Sequence, residues 1–178
     1  IIELNGILED LKFEPETATR FELAFAQVAK FIGFTSQRPE TDSGRGPDVL
    51  WRTGPSQYLV IECKNGAITD TINKHDCNQL NGSGEWFENK YGVDVSYAPI
   101  MIHRATKFEH AASPKAATRI MTTEKLEIFK KNVREFIKSV CSQSLISDET
   151  QIRNQLLQLK LRAVDFQVFY TTTYIASR

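Results

Sequence analysis

The stretch YLVIEC, residues 58–63, decides how the fold is interpreted, because it is the most strand-like segment of the chain. Its apolar, β-branched and aromatic residues are typical of a β-strand. The near-continuous hydrophobicity predicts a central strand that is covered on both faces. Just before it, PDVLWR (residues 47–52) predicts a second strand, and TGPSQ (residues 53–57) predicts a turn. The two strands should therefore form a hairpin.

Helices are predicted on either side of this hairpin. Residues 1–16 look irregular, and Thr17 should cap a helix that runs to about Phe31, with Gly33 as its stop. The polar stretch TSQRPETDSGRG, residues 35–46, is typical of a loop.

The chain after the hairpin is predicted to continue the α/β pattern. A mostly helical region covers about Asp70–Lys90, with an interruption near Asn81–Gly84, and YAPIMIHR (residues 97–104) predicts a third strand. Apolar residues then recur at helical spacing over about Thr123–Ser142. Asp148 is a good cap for another helix, which runs to about Leu161.

The tail AVDFQVFYTTTYIA, residues 163–176, is ambiguous, because its apolar residues alternate like a strand and also fit a helix face. The order of all these elements predicts an α/β fold with a central mixed β-sheet flanked by helices, and with extra C-terminal helices. A length of 178 residues suits one domain, which we predict over residues 1–178.

Composition and charge limit the classes of partner. Hydrophobic residues make up 41% and charged residues 25%, which is close to the usual globular balance. Lys+Arg and Asp+Glu both number 22, so any attraction to nucleic acid must come from a local basic surface. No apolar run approaches the roughly 18–20 residues needed to span a bilayer. The cysteines are too few and too scattered for a disulfide framework, which favours a reducing, cytoplasmic location: Cys63, Cys77 and Cys141.

Three charged residues are expected to converge at one end of the hairpin. Asp48 opens the first strand, and Glu62 and Lys64 end the second. Because side chains alternate along a strand, Glu62 and Lys64 point to one side and Cys63 to the other. Two carboxylates at the end of a buried strand repel each other, and a divalent cation is the usual way to hold them together. Oxygen ligands suit Mg²⁺ or Mn²⁺, which could activate water for attack on a phosphate.

The same residues resemble the paired motif of the PD-(D/E)xK nuclease superfamily, also called restriction endonuclease-like. The resemblance is carried by GPDVLW (residues 46–51) and YLVIECKNG (residues 58–66). The matching residues are Pro47 and Asp48 for the PD element and Glu62, Cys63 and Lys64 for the ExK element. The resemblance covers about residues 17–104 and implies a restriction endonuclease-like core that hydrolyses DNA phosphodiester bonds with Mg²⁺ or Mn²⁺.

The resemblance also implies a role for each motif residue. Asp48 and Glu62 would bind the metal ion, and the carbonyl of Cys63 would be a further ligand. Lys64 would assist the attacking water.

Two residues outside the motifs extend this predicted site. Glu22, in FELAFAQVAKFIGF (residues 21–34), matches an acidic residue that faces the metal site from the first core helix of many members. Gln79 matches a glutamine that several branches carry in the helix after the second strand. Residues 108–178 match no pattern of the family, and the roles open to this helical extension are binding DNA, forming a dimer or docking on another domain.

Other patterns near the motifs have simpler explanations. No zinc-ligand spacing is met by His75, Asp76 and Cys77, even when Cys63 is added to them. His103 and Arg104 could contact phosphate, although a plain pair at a strand end is the simpler interpretation. Asn81–Gly84 lacks the Lys-Ser/Thr pair and the preceding strand of a phosphate-binding loop.

A basic segment covers residues 115–138. Its acidic residues, interspersed with the basic ones, favour a solvated helix face over a contact with the DNA backbone. The basic residues are Lys115, Arg119, Lys125, Lys130, Lys131, Arg134 and Lys138.

The sequence therefore predicts a Mg²⁺-dependent DNA endonuclease, as the nuclease module of a restriction, repair or mobile-element protein. One alternative is a non-catalytic nucleic-acid-binding or assembly domain of the same fold, which would bind DNA with strong salt dependence but would not cut it. Another is an unrelated α/β interaction domain, which predicts that Asp48 and Glu62 lie far apart. The expected partner is DNA, with a homodimer and other domains of a longer protein both left open.

Overall fold

A six-stranded mixed sheet organises the chain in a computed structural model that describes residues 1–92, 94–142 and 148–175. Neighbours β1–β2, β2–β3 and β5–β6 are antiparallel, whereas β3–β4 and β4–β5 are parallel. The predicted α/β class with a mixed sheet is therefore confirmed. In their order across the sheet, the strands are β1 (Thr35–Gln37), β2 (Val49–Gly54), β3 (Gln57–Cys63), β4 (Ser96–Ile102), β5 (Arg119–Met121) and β6 (Thr172–Thr173).

Helices flank this sheet. They are α1 (Ile2–Asp10), α2 (Ala18–Phe31), α3 (Pro39–Ser43), α4 (Lys74–Tyr91), α5 (Thr123–Ser142), α6 (Glu149–Gln158) and α7 (Ala163–Phe169). None of the helices in the described parts of the chain is both long enough and apolar enough to cross a membrane.

Two hydrophobic cores lie on opposite faces of the sheet, because successive strand residues alternate between them. Trp51 and Ile61 belong to the larger core, which also takes residues from α1, α2, α5 and α7. Leu50 and Val60 belong to the smaller core, which is covered by α4. A strand that is covered on both faces explains the continuous apolar run of β3.

The predicted hairpin is confirmed, and its position is set by Trp51. Val49 pairs with Ile61 across β2 and β3, and the turn falls between Gly54 and Gln57. The Trp51 ring is fully buried and stacks on Phe25 of α2 with 4.6 Å between ring centroids. This stacking holds the first core helix against the strand that follows Asp48.

The predicted irregular N-terminal segment is wrong, because Ile2–Asp10 is a helix. Leu4, Ile7 and Leu8 are buried in the larger core, at the spacing of one helix face. Tertiary packing therefore stabilises a short helix that contains Gly6, a poor helix former.

The predicted loop at residues 35–46 is also wrong in part. Thr35–Gln37 pairs with the edge of β2, and Pro39–Ser43 forms a one-turn helix with proline at its start. Gly44 ends this helix with a φ of 70°, a left-handed conformation that glycine adopts at low cost. A polar strand at a sheet edge has no hydrophobic pattern that would reveal it.

The predicted interruption of the helix at Asn81–Gly84 is wrong, because α4 is continuous through it. The reason for its glycine at position 84 is packing, since a Cβ there would lie 2.6 Å from the Tyr97 hydroxyl of β4. Ser83, the preceding residue, is buried against the sheet. Gly84 thus lets α4 approach β4 closely and brings Ser83 to the end of β3.

Other predicted helix limits are close to the observed ones. α2 ends at Phe31, and Gly33 follows with a φ of 83°. α5 covers Thr123–Ser142 as predicted, and the Asp148 side chain accepts a hydrogen bond from the backbone N–H of Gln151 at the start of α6. α6 ends at Gln158 rather than near Leu161.

The ambiguous tail forms α7 followed by the short strand β6. Phe166 is fully buried, whereas Val164 and Val168 are exposed, so the helical interpretation is correct for its first half. The last residue of the predicted segment, Ala176, lies outside the described residues.

Candidate active site

The hairpin brings Asp48 beside the end of β3. The backbone N–H of Cys63 donates a hydrogen bond of 2.7 Å to Asp48 Oδ2. The register of the hairpin, in which Val49 pairs with Ile61, puts Asp48 opposite Glu62, and the charge of Glu62 acts on Asp48. Both side chains are nearly buried, with exposed fractions of 6% for Asp48 and 3% for Glu62. The two carboxylates therefore meet, which argues against the interpretation that predicts them far apart.

Strand alternation positions the residues of the ExK element as predicted. The Cys63 side chain packs in the larger core, on the face opposite Glu62. Glu62 Oε1 accepts a hydrogen bond of 2.6 Å from Ser83 Oγ of α4. Lys64 Nζ lies 3.7 Å from Glu62 Oε2. Each oxygen of the Glu62 carboxylate thus has a polar neighbour, one from α4 and one from the residue that follows β3.

The pKa values of the two carboxyl groups reflect their burial. Burial and the nearby charge of Glu62 raise the pKa of Asp48 from 3.8 to about 6, although the Cys63 N–H and Glu40 partly oppose this. Burial also raises the pKa of Glu62, and the hydrogen bond from Ser83 and the charge of Lys64 partly offset it. The folded protein therefore holds two carboxylates in a place that disfavours their negative charge.

Glu40 is a further carboxylate of this site, which the sequence analysis did not identify. The interaction with Asp48, followed by burial, raises the pKa of Glu40. Glu40 lies in α3, within the stretch that was predicted to be a loop. No alternation or helical periodicity in that polar segment signals its proximity to Asp48.

Lys64 is the cation that faces these acids. Burial lowers its pKa, but the charges of Asp48 and Glu62 outweigh burial and raise it overall. With Glu40 and Asp76 included, four carboxylates surround one ammonium group. When all are ionised, the cluster carries an excess of negative charge, which a divalent cation would reduce.

Asn65 fixes the chain directly after Lys64. Its side chain is 1% exposed and its Nδ2 donates hydrogen bonds to the Lys12 carbonyl (3.1 Å) and to Thr17 Oγ1 (2.9 Å). The segment after β3 is thereby joined to the start of α2. This connection also explains why Thr17, the predicted cap, does not cap α2 with its side chain, since its hydroxyl oxygen accepts from Asn65 Nδ2 instead.

A cleft of about 500 Å³ opens beside the cluster. Asp48 and Lys64 line it, together with Glu22 of α2 and Asp76 of α4. Residues 65–69 line it as well, and Ile68 there is 73% exposed. Glu62 is not in the cleft lining, and its carboxylate contacts Lys64 and Ser83 instead.

Glu22 lies at this cleft as predicted, but it already has a partner. Arg38 Nη2 donates a hydrogen bond of 2.6 Å to Glu22 Oε2, and both side chains are mostly buried. The ion pair neutralises Glu22, so its charge adds little to the excess at Asp48 and Glu62. Arg38 was not identified from the sequence, because it lies in the same polar stretch as Glu40.

Gln79, the second predicted extension of the site, is exposed on α4 and does not line the cleft. The residues of α4 that face the site are Asp76 and Ser83 instead. Asp76 is 9% exposed and also accepts a hydrogen bond of 2.9 Å from Asn73 Nδ2 at the start of the helix.

His103 is fully buried, so it makes no direct contact with a phosphate in the cleft. Its Nδ1 accepts a hydrogen bond of 2.8 Å from the backbone N–H of Ala105, and burial lowers its pKa. Arg104 is exposed beyond the end of β4. The two residues therefore face different surroundings.

Most of the basic residues at positions 115–138 have intramolecular partners, so the predicted solvated helix face is correct only in part: Arg119 lies in β5, and Lys130 is buried. Lys130 Nζ, for example, donates to the Leu11 carbonyl at 2.9 Å and to Glu127 Oε1 at 2.7 Å. Further bonded members are Lys115, Arg119, Lys125 and Arg134.

The side chains of the site can be compared with the ligands that zinc, Mg²⁺ and Mn²⁺ require. Within the described residues, no group of three or more His, Cys, Asp or Glu side chains is arranged to hold a metal ion. Of the residues considered as zinc ligands, Cys63 and Cys77 lie in different cores. Two carboxylates are nevertheless enough for Mg²⁺ or Mn²⁺, which keep several waters and share ligands with substrate phosphates. Asp48 and Glu62, together with the excess negative charge, fit such an ion.

Comparisons with protein-family models, with curated proteins and with solved structures gave no match for this chain.

The hydrogen bond from Ser83 to Glu62 leads to a first prediction. Ser83→Ala removes the donor that directs one Glu62 oxygen, so we expect the affinity for Mn²⁺ to fall about tenfold, as for other groups that orient metal ligands. Titration calorimetry measures this affinity. Ser83→Thr, which keeps a hydroxyl, should restore most of it. An unchanged Mn²⁺ affinity in Ser83→Ala would show that the bond is merely structural.

Proposed function

We propose that this chain hydrolyses phosphodiester bonds in DNA, using a divalent cation held by Asp48 and Glu62. The proposal depends mainly on one observation, the position of two nearly buried carboxylates opposite each other at the end of the hairpin, beside an open cleft. Burial of paired carboxylates costs folding free energy, and Lys64 compensates for only part of their charge. Two carboxylates that stay buried together in spite of this cost are typical of a site that binds a cation.

Each residue of the site would have a distinct role in this reaction. Asp48 and Glu62 would hold Mg²⁺ or Mn²⁺, with the Cys63 carbonyl as a further ligand. Such an ion, when bound, lowers the pKa of a coordinated water and stabilises charge on a phosphoryl oxygen. Lys64 lines the cleft and would donate hydrogen bonds to the attacking water or to the phosphate. Ser83 would keep Glu62 oriented.

The resemblance to the PD-(D/E)xK nucleases supports the same assignment. Its two motifs lie on the hairpin β2–β3, with an acidic residue of the preceding helix α2 at the cleft. A mixed sheet flanked by helices is compatible with a restriction endonuclease-like core, which we propose for residues 17–104.

The experiment is a cleavage assay on a supercoiled plasmid with the purified protein. We expect nicked or linear DNA with Mg²⁺ or Mn²⁺ and no product with EDTA. A protein that folds and binds either ion, but leaves the plasmid intact across a range of ion concentrations, would contradict the proposal.

Lys64 gives a second prediction. Lys64→Gln removes the positive charge and should lower the single-turnover cleavage rate roughly 100-fold, the size typical of losing one group that stabilises transition-state charge. Affinity for Mn²⁺ should not fall, because a positive neighbour of the two carboxylates has been removed. Lys138→Gln, an exposed lysine of α5, is the matched control. A Lys64→Gln rate equal to that of the control would remove Lys64 from the proposed mechanism.

A non-catalytic domain that binds or assembles on nucleic acid is the second candidate. It is favoured by the position of Glu62, which does not line the cleft. This candidate predicts salt-dependent DNA binding without cleavage in the same plasmid assay.

A further inference from the structure

The ring of Trp86, in α4, lies against the turn that leads into β2. A Cβ atom on Gly46 of this turn would be 2.9 Å from the ring atoms Cδ2 and Cε2, and 3.0 Å from Pro39 Cβ. Gly46 also has a φ of 104°, a backbone conformation that residues with a side chain rarely adopt. The turn therefore needs glycine for two reasons, its own conformation and the space that Trp86 occupies.

This turn determines where Asp48 lies. The Pro47 carbonyl accepts a hydrogen bond of 3.3 Å from the backbone N–H of Glu40, which fixes the residue before Asp48 to α3. Val49, the residue after Asp48, is already paired in the sheet. Asp48 lies between these two fixed points, and its Oδ2 accepts the hydrogen bond from the Cys63 N–H. A displaced turn would therefore displace the carboxylate.

Helix α4 contacts both sides of the carboxylate pair. Ser83 donates a hydrogen bond of 2.6 Å to Glu62. Three residues further along the helix, Trp86 packs against Gly46, which precedes Asp48 by two residues. Residues three apart are neighbours on a helix surface. The relative position of the two carboxylates thus depends on one short stretch of α4.

Other contacts hold the Trp86 ring in place. The side chain is half-buried and packs against the smaller core. Tyr91 meets the ring edge-on, with 6.3 Å between ring centroids, and Lys90 Nζ lies 4.7 Å from the ring centroid. Aromatic and cation–π contacts both favour one orientation of the ring. An oriented ring fixes how closely the turn can approach α4.

We infer that Trp86 is a positioning residue, which places Asp48 for cation binding by fixing the turn at Gly46. Trp86 does not line the cleft, so it would act through the turn and not by contact with the cation or the DNA. The inference rests on the proposed function, because the position of Asp48 matters for cleavage only if this carboxylate binds the ion.

The test replaces the ring and measures both Mn²⁺ affinity, by titration calorimetry, and the Cys63 amide signal, by ¹H–¹⁵N NMR. In Trp86→Ala the Mn²⁺ affinity should fall about tenfold, as for the loss of other groups that orient metal ligands. The Cys63 amide proton signal of the metal-free protein should move upfield, because its hydrogen bond to Asp48 weakens. Trp86→Phe, which keeps a ring at the turn, should restore most of both values.

Tyr174→Ala is the matched control for a general loss of packing. Tyr174 is also half-buried against the smaller core, but it follows β6, on the side of the sheet away from β2. This variant should leave the Mn²⁺ affinity and the Cys63 signal unchanged. Equal changes in Trp86→Ala and Tyr174→Ala, or no change in Trp86→Ala, would overturn the positioning role.

Gly46→Ala tests the same contact from the other side and keeps the ring. The added Cβ would collide with Trp86, so the turn has to move, and the Mn²⁺ affinity should again fall by about tenfold or more. Wild-type affinity in this variant would also overturn the inference. If wild type binds no Mn²⁺ but the Cys63 signal moves in both Trp86→Ala and Gly46→Ala, the proposed nuclease is rejected, whereas Trp86 still positions Asp48.

Discussion

Replacing either buried carboxylate of the cluster by its amide is expected to reduce metal-dependent DNA cleavage by more than about 1,000-fold. Asp48→Asn and Glu62→Gln each remove one of the two charges that would hold the cation. Stabilisation of phosphoryl charge by a bound ion is worth several kcal/mol, and each 1.36 kcal/mol changes a rate tenfold. Both amides keep the shape of the side chain and an oxygen for the Cys63 N–H or the Ser83 hydroxyl. The measurement is single-turnover cleavage of an end-labelled duplex with saturating Mn²⁺.

Two exposed residues provide matched controls. Asp94→Asn lies in the turn before β4, and Glu85→Gln lies on the exposed face of α4. Each removes the same charge as its counterpart, and each should retain the wild-type rate. If Asp48→Asn and Glu62→Gln cleave as fast as these controls, the two buried carboxylates are not part of the active site.

The second large effect concerns stability, and it has the opposite sign. In the metal-free protein at pH 8, Asp48→Asn is expected to raise the free energy of unfolding by roughly 3 kcal/mol. Burial and Glu62 raise the pKa of Asp48 from 3.8 to about 6 in the folded state. Each pKa unit corresponds to about 1.36 kcal/mol. The asparagine removes this cost and can donate from its Nδ2 to the neighbouring carboxylates.

The pH dependence of this gain follows from linkage. Below about pH 3.8 the carboxyl group is protonated in both states, so wild type and Asp48→Asn should be equally stable. Between about pH 3.8 and 6 the unfolded state loses its proton first, so wild type loses stability relative to the variant as the pH rises. Above about pH 6 the difference stays constant. Urea unfolding of both proteins across this range measures the difference. The titrations of distant groups cancel, whereas those of Glu40 and Glu62 also change in the variant because both interact with Asp48.

Two controls sharpen the stability measurement. Asp94→Asn should change stability by less than about 0.5 kcal/mol, as is usual for exposed sites. Added Mn²⁺ should stabilise wild type but not Asp48→Asn, because only wild type retains both ligands. An Asp48→Asn protein that is less stable than wild type at pH 8 would show that the carboxylate contributes to folding rather than to binding.

The hairpin and its charged end could be predicted from the sequence because both follow from local rules. The continuous apolar run of β3 indicated a strand that is covered on both faces, as the two cores show. Strand alternation then fixed which side Glu62 and Cys63 take. An antiparallel turn of fixed length brought Asp48 to the Cys63 N–H.

The parts that were missed depend on tertiary contacts. Glu40 and Arg38 lie in a polar stretch that becomes ordered by pairing with the edge of β2, and no periodicity reveals such pairing. Gly82 and Gly84 suggested a break in α4, but the close approach of Gly84 to Tyr97 required a residue without a side chain inside a helix. Ser83 then faces Glu62 because the helix continues.

The sequence also did not reveal which residues of α4 face the site. The family resemblance pointed to Gln79, whereas Asp76 and Ser83 face the site. Positions 76 and 83 are seven residues apart, which is close to two helical turns, so they share one face. Which face of a helix meets a sheet depends on how the helix packs, and here the buried side is set by Leu80 and Phe87 in the smaller core.

Mn²⁺ binding to the metal-free protein tests most directly whether Asp48 and Glu62 together form a cation site. Titration calorimetry on wild type, Asp48→Asn, Glu62→Gln and the control Asp94→Asn gives the number of ions and the affinity. The predicted result is saturable binding in wild type and Asp94→Asn that weakens more than about tenfold in each of the two buried-carboxylate variants. Equal Mn²⁺ affinity in all four proteins would contradict the account.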